Sequence, residues 1–458
     1  MDRKSVFQKF CSLAPFAVMT QIVLRACIRN EFADAFTQAR GRQYEDTLSF
    51  EDLAIAVADV ALGVVKNPNQ AYLAHKEKLG VARSRFYDKL NHTNTQLSAQ
   101  VVAAIAPRIA EMQDALGFVP WEGIPGYRLL VVDGNHLEKT EKRIGELREM
   151  GAAPLPGTAV ARFDLDRQIF DRVYLLEDAH QQECSMCPAI ANDLEPGDVI
   201  IADRHYCVIE FMEQIAAEPE PKHFIIRHHG RLKGMLLGER KKLGRIATGT
   251  VHEQAFQLTK QEDSLVVRRI TIELDKPTQD GDTEIHLLTN LPHNISGKRI
   301  AEVYHRRWEE ETGFYYLRMC FQGELASLGH PRAALFLFSM SLIAYNVLQV
   351  IWAAFYACHA EEEIEKTSNL YVSQQIMSAT PGMLIVLDDA EWDLLIPDSQ
   401  KEVAQLLKRI AKATSLANYR KSVRKPKAKM PRNKKPRKKR NAVSKHVSIA
   451  KIIGLVPR

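Results

Sequence analysis

Two short runs constrain this chain most: YRLLVVDGNH at residues 127–136 and GDVIIADRHY at 197–206. Each is a block of consecutive apolar residues that stops at an aspartate. A strand with one wet face alternates, whereas LLVV or VIIA suits a strand covered on both faces. TAVARFDLD, QIFDRVYLLED and HFIIRHH read as further strands and VIEFMEQIAA as a helix, which gives an α/β sheet with helical crossovers. From Arg231 to Leu291 the pattern turns strand-rich, with LVVRRITIEL, a turn at Gln279-Asp280-Gly281 and TEIHLLTNL. Helices resume from Ser296.

With 458 residues the chain can bury a large core and form several domains. Residues 1–121 read as helices; Ser49-Phe50-Glu51-Asp52 is a capped start for LAIAVADVALGVV. Within them VARSRFYDKLNHTN mixes basic and aromatic residues, which fits either a DNA contact or a plain surface helix. The apolar stretch 333–357 has the length of a membrane span. Ser339, Ser341, Asn346 and Gln349 interrupt it and no second span accompanies it, so a helix buried in a core is expected, with no membrane partner. The N-terminus shows no apolar signal-peptide core, and seven cysteines without framework spacing suit a reducing cytosol. Cys184-x-x-Cys187, with His180, His205 and Cys207 nearby, has zinc-ligand chemistry, yet a CxxC without a second pair reads as reduced thiols. No Gly-rich phosphate loop is evident, so no nucleotide cofactor is expected.

The net charge of +6 conceals an asymmetry. Arg420 to Lys445 holds 14 Lys/Arg and no acid, leaving 48 basic and 56 acidic residues, or −8, for the remainder. A mildly acidic body with a basic, low-complexity tail implies a polyanionic partner, nucleic acid first. Lys434, Lys435, Arg437, Lys438, Lys439 and Arg440 are the densest part of that tail.

Asp133 and Asp203 end the two apolar runs, and sites in open α/β sheets assemble at the carboxyl ends of strands. Paired carboxylates offer hard oxygen ligands for Mg²⁺ or Mn²⁺; turn-forming and helix-capping roles are the bland alternative. A third carboxylate comes from AEVYHRRWEEETGFYYLRM at 301–319. On one continuous helix at about 100° per residue, Tyr304, Glu311 and Arg318 share a stripe, with Arg307 on the adjoining turn. Glu309 and Glu310 then point elsewhere, onto the helix surface. The bland alternative here is an amphipathic helix with ion pairs one turn apart.

YHRRWEEETGFYYLR, with Tyr, two residues, Arg, three residues, Glu, six residues, Lys/Arg, resembles the signature helix of the DDE transposases of bacterial insertion sequences, the insertion-sequence-four type in particular. VVDGN and IIADRHY resemble the segments that carry that family's two aspartates, and FIIRHH its following strand. The resemblance implies a ribonuclease H-like mixed sheet at 122–230 and 292–360 with a strand-rich insertion at 231–291. The N-terminal helical domain would bind DNA ends. A helical region at 361–419 and a basic, disordered tail at 420–458 would follow. It implies Asp133, Asp203 and Glu311 as ligands of two Mg²⁺ or Mn²⁺ ions, with Tyr304, Arg307, Arg318 and Arg227 on the DNA. It further implies cleavage at terminal inverted repeats with 3′-hydroxyl strand transfer, a homodimer on DNA, and a bacterial cytoplasmic, nucleoid-associated enzyme. A catalytically silent DNA-binding descendant and a nuclease of the same fold are the rival expectations. Arginine stands at 318 where lysine is commoner. The tryptophans, at 121, 308, 352 and 392, all lie outside the insertion, which leaves Phe256 as its candidate base-stacking residue.

Overall fold

The computed structural model describes residues 2–41, 47–138, 147, 152–217, 222–259, 264–278, 281–422 and 446–457. The strands are β1 (Arg128–His136), β2 (Ala153–Leu155), β3 (Thr158–Asp164), β4 (Ile169–Leu176), β5 (Asp198–Ala202), β6 (His223–Arg227), β7 (Met235–Ile246), β8 (Gly249–Gln257), β9 (Val266–Leu274), β10 (Glu284–Thr289) and β11 (His446–Ser448). Nine of them form one sheet in the order β4-β3-β1-β5-β6-β10-β9-β8-β7. β3 runs antiparallel to both β1 and β4, while β1, β5 and β6 are parallel. The strand-rich segment interrupts the α/β chain but not the sheet: β10 pairs antiparallel with β6 and carries β9, β8 and β7 outward.

The non-alternating runs behave as their composition demands. Leu129 and Val131 join a core shared with the N-terminal helices, Leu130 and Val132 join a second core on the opposite face, and all four are fully buried. Of the N-terminal helices α1 to α8, which run between Arg3 and Ala115, α8 (Thr95–Ala115) lies on this first face against β4, and the others pack in the same core. The second is covered by α9 (Cys187–Asn192) and α10 (Ile209–Ile215).

After the sheet come α11 (Gly297–His305), α12 (Trp308–Cys320) and α13 (Pro331–Tyr356). The apolar α13 has 94% of its 18-residue membrane-length window buried inside the protein. Its Asn346, one of the polar interruptions, reaches β4 at the sheet edge. The side chain accepts from the Phe170 amide at 2.9 Å and donates to the Phe170 carbonyl at 2.7 Å. An edge strand's otherwise unpaired backbone is thereby satisfied inside the core.

Past α13 the helices α14 to α17 extend from Glu361 to Ala413. The basic residues from Lys434 to Arg440 lie outside the described residues. The 420–458 stretch is not wholly a free tail, however. β11 pairs parallel with β2, Ile449 and Ala450 in α18 (Ile449–Ile452) are buried, and Lys451 Nζ lies 3.1 Å from Asp178. The chain is therefore anchored to the body on both sides of the basic segment.

The opposite end of β1 from Asp133 is fixed by buried ions. Arg128 binds Asp164 at 2.7 Å and Asp171 at 2.8 Å, and Arg162 grips Asp171 through two hydrogen bonds of 2.9 and 2.7 Å. Burial works against ionisation of Asp171, but Arg162 and then Arg128 outweigh it and hold the carboxyl below its usual range. Removing one member of such a group strands its partner's charge in the interior. Asp171→Asn should destabilise the protein by about 3–5 kcal/mol in urea unfolding; a loss below about 1 kcal/mol would mean that the network is not what holds this end of β1.

Candidate active site

Parallel pairing of β1 with β5 sets Val132 opposite Ala202, so the residues that follow, Asp133 and Asp203, emerge side by side. Both also perform turn chemistry. Asp133 Oδ1 accepts from the Gly134 amide at 2.9 Å, and Asp203 caps the turn Arg204–Tyr206, accepting from the His205 amide at 2.7 Å. Asp203 Oδ2 also lies 2.8 Å from His205 Nδ1. Turn roles and proximity therefore coexist.

The glutamate segment is not one helix. α11 ends at His305 and α12 begins at Trp308, and the amides of Arg307, Glu309 and Glu310 bond to carbonyls three residues back. A tightened turn rotates the chain by about 120° per residue instead of 100°, so positions beyond it advance relative to Tyr304. Neither proline nor glycine causes the break. Trp121 does much to hold it: the Arg306 guanidinium stacks 3.6 Å from its ring centre, and Arg299 approaches the same ring at 5.2 Å.

This phase change overturns part of the helix-stripe reading. Glu310, expected on the surface, is completely buried, and neither carboxylate oxygen has a hydrogen-bond partner. Burial, then Asp133, pushes its carboxyl well above the usual range. Glu309 is half-buried and pairs with Arg306 and Gln168. The Glu311 side chain is 53% exposed and is linked to Asp133 through Arg307, which is 3.1 Å from Glu311 and 3.5 Å from Asp133.

Burial raises the Asp133 carboxyl to about 6, opposed by Arg307 and the Gly134 amide and reinforced by Asp203 and Glu183. Glu183 belongs to the turn Glu183–Met186 and was not visible as a site residue in the sequence. Its loop carries no apolar period, and only the nearby CxxC drew attention to it. All seven cysteines are free thiols.

Of the residues expected on DNA, Tyr304 is buried beneath Arg307, Arg307 is buried between the carboxylates, and Arg318 is exposed on α12 near Asn135. Arg227 is tied to Asp282 at 2.6 Å. Phe256 is buried against His228, with ring centres 5.0 Å apart, so it presents no free face for a base.

Residues 126–347 match the family described as the transposase DDE domain, a span that contains Asp133, Glu183, Asp203, Glu309, Glu310 and Glu311. The chain carries that domain, and its enzyme class is DDE transposase. Enzymes of this class use divalent metal ions. A cryo-EM structure of the piggyBac transposase synaptic complex with hairpin DNA is similar at 10% identity, covering 88% of this chain and 86% of that chain with a TM-score of 0.38. No curated protein matches the chain.

The donor chemistry suits such a cation: hard carboxylate oxygens, an orphaned buried glutamate, and more negative charge than Arg307 balances. Among the described residues, no three His, Cys, Asp or Glu side chains are yet drawn together around one point, and Arg307 stands between Asp133 and Glu311. The buried, unpartnered Glu310 costs stability. Glu310→Met, similar in length and free of orphaned acceptors, should stabilise the metal-free protein by about 1–3 kcal/mol in urea unfolding, and a destabilised variant would contradict its isolation.

Proposed function

We propose that this chain is a transposase of the insertion-sequence-four type that cleaves the terminal inverted repeats of its own element and joins the freed 3′-hydroxyl to target DNA. The observation that carries the reading is Arg307, which links the strand-end Asp133 to the helix residue Glu311 beside Asp203. The strand order β4-β3-β1-β5-β6, with only β3 reversed, supports a ribonuclease H-like core.

Asp133, Asp203 and Glu311 would hold two Mg²⁺ or Mn²⁺ ions, which when bound activate the attacking oxygen and stabilise the leaving oxygen on phosphorus. Asp133 and Asp203 reach the site from adjacent strand ends, so the sheet fixes their separation. Arg307 then turns from the carboxylates to a phosphate, where its forked guanidinium matches two oxygens. Tyr304 supports that arginine from below. Arg318 and Arg227 would track the DNA backbone, as would the basic helix Arg83–His92 among the N-terminal helices that read as the end-binding domain. Lys434, Lys435, Arg437, Lys438, Lys439 and Arg440 would add sequence-independent phosphate contacts. A homodimer would bring two element ends together in the bacterial cytoplasm, at the nucleoid.

A second reading is favoured by one observation. Glu310, not Glu311, is buried, with Asp133 as the strongest charge acting on it, which makes Glu310 the rival third ligand.

On DNA carrying the element's inverted repeats, Asp133→Asn, Asp203→Asn and Glu311→Gln should each reduce Mg²⁺-dependent cleavage to background while retaining end binding, and Glu309→Gln should cleave normally. Loss in Glu310→Gln with activity retained in Glu311→Gln would transfer the ligand role. Cleavage without joining of 3′-ends to target DNA would leave a nuclease. Replacing the six basic residues 434, 435, 437, 438, 439 and 440 by alanine should weaken nonspecific binding and flatten its salt dependence by about 0.9 in logarithmic slope per lost phosphate contact; an unchanged slope would remove the basic segment from DNA binding.

A further inference from the structure

We infer that Glu183 is a fourth carboxylate ligand of this site, admitted beside Asp133 by the missing side chain of Gly134. The inference rests on the divalent-cation reading above and adds a residue to it. Along β1 successive side chains point to opposite faces. Asp133 turns toward Arg307 and α12, whereas residue 134 belongs to the face covered by α9. A Cβ at 134 would lie 2.0 Å from the Cδ and from Oε1 of Glu183. Glycine leaves that space to the Glu183 carboxylate, which rests on the strand backbone next to Asp133.

Glu183 is held in this position from behind. The Tyr206 hydroxyl donates to its Oε2 at 3.4 Å, and His136 Nε2 lies 3.8 Å from its Oε1. Tyr206 is fully buried and closes the same turn that Asp203 caps, so one turn positions both Asp203 and Glu183. The carboxylate is only 21% exposed, and among the described residues neither lysine nor arginine pairs with it. Asp203 and Asp133 are among the charges that act with Glu183, and a half-buried group of like charges is unfavourable until a cation joins them.

The opposite wall points to the same ligand independently. Glu310 is 0% exposed and both its oxygens lack partners, with Asp133 and Glu183 among the charges acting on it. Carboxylates therefore line the same cleft from β1, β5, α12 and the turn before α9 without yet meeting at one point, and Arg307 is the one arginine or lysine among the described residues that contacts Asp133. Hard oxygen donors supplied by several elements suit a divalent cation that demands many oxygens.

The test is Mn²⁺ titration of the full chain, without DNA, by calorimetry and by the Mn²⁺-induced rise in Tm. Glu183→Gln keeps the shape and hydrogen bonding of the side chain but removes its charge. It should weaken Mn²⁺ binding about tenfold or more and shrink the rise in Tm, and Glu183→Asp should restore part of both. Wild-type Mn²⁺ affinity in Glu183→Gln overturns the inference while leaving the proposed function intact. No Mn²⁺ binding by the wild type, or equal binding by Asp133→Asn, overturns the metal reading itself and this inference with it. If Glu183→Gln does not fold, Tyr206→Phe replaces it: freeing Oε2 should weaken Mn²⁺ binding, and unchanged affinity counts against the role.

Discussion

The parallel pairing of β1 and β5 is the constraint on which the rest of the site depends. It aligns Val132 with Ala202 and sends two aspartates out of the sheet together. That pairing requires both strands to be covered on both faces, and the chain meets the requirement with helices before and after the sheet. The cost appears at the far end of β1, where the half-exposed Arg128 joins buried Arg162, Asp164 and Asp171 in one ionic group. Such groups do not stabilise a fold more than packed apolar residues would. They do oppose a register slip, because a one-residue shift would turn Arg128 away from both of its partners and would move Asp133 at the same time.

The second half of the site depends on tertiary contacts that local sequence does not encode. Trp121 lies in the linker before β1, yet it stacks on Arg306 at the junction of α11 and α12. The linker and the α11–α12 segment are thus set against each other at the point where the helix changes phase. This junction decides which glutamate enters the interior and which faces Arg307.

Sequence therefore revealed the two halves unequally. The strand runs around Asp133 and Asp203 were legible because burial on both faces leaves an unbroken apolar block, and the aspartate marks its end. The long apolar helix was legible for the same reason, its polar residues included: Asn346 interrupts the run and bonds the backbone of β4. The separation of Glu309, Glu310 and Glu311 was not legible, because it assumed uniform rotation through a segment whose turn is tightened by a residue 185 positions earlier. Glu183 was hidden for a different reason. Its significance depends on the absence of a side chain at Gly134, and a glycine after an aspartate reads equally well as an ordinary turn.

Arg307 has one guanidinium and two sets of anions that want it. While it neutralises Asp133 and Glu311 it is withheld from phosphate, and a carboxylate-rich cleft by itself repels a nucleic acid backbone. A cation that takes over the carboxylates releases the arginine, and a phosphate that captures the arginine leaves the carboxylates in need of a cation. Each ligand then raises the affinity for the other by the same factor, since linkage is reciprocal. On the proposed function, one side chain, placed by a break in a helix, would make the metal and the DNA cooperative partners instead of independent occupants of the same cleft.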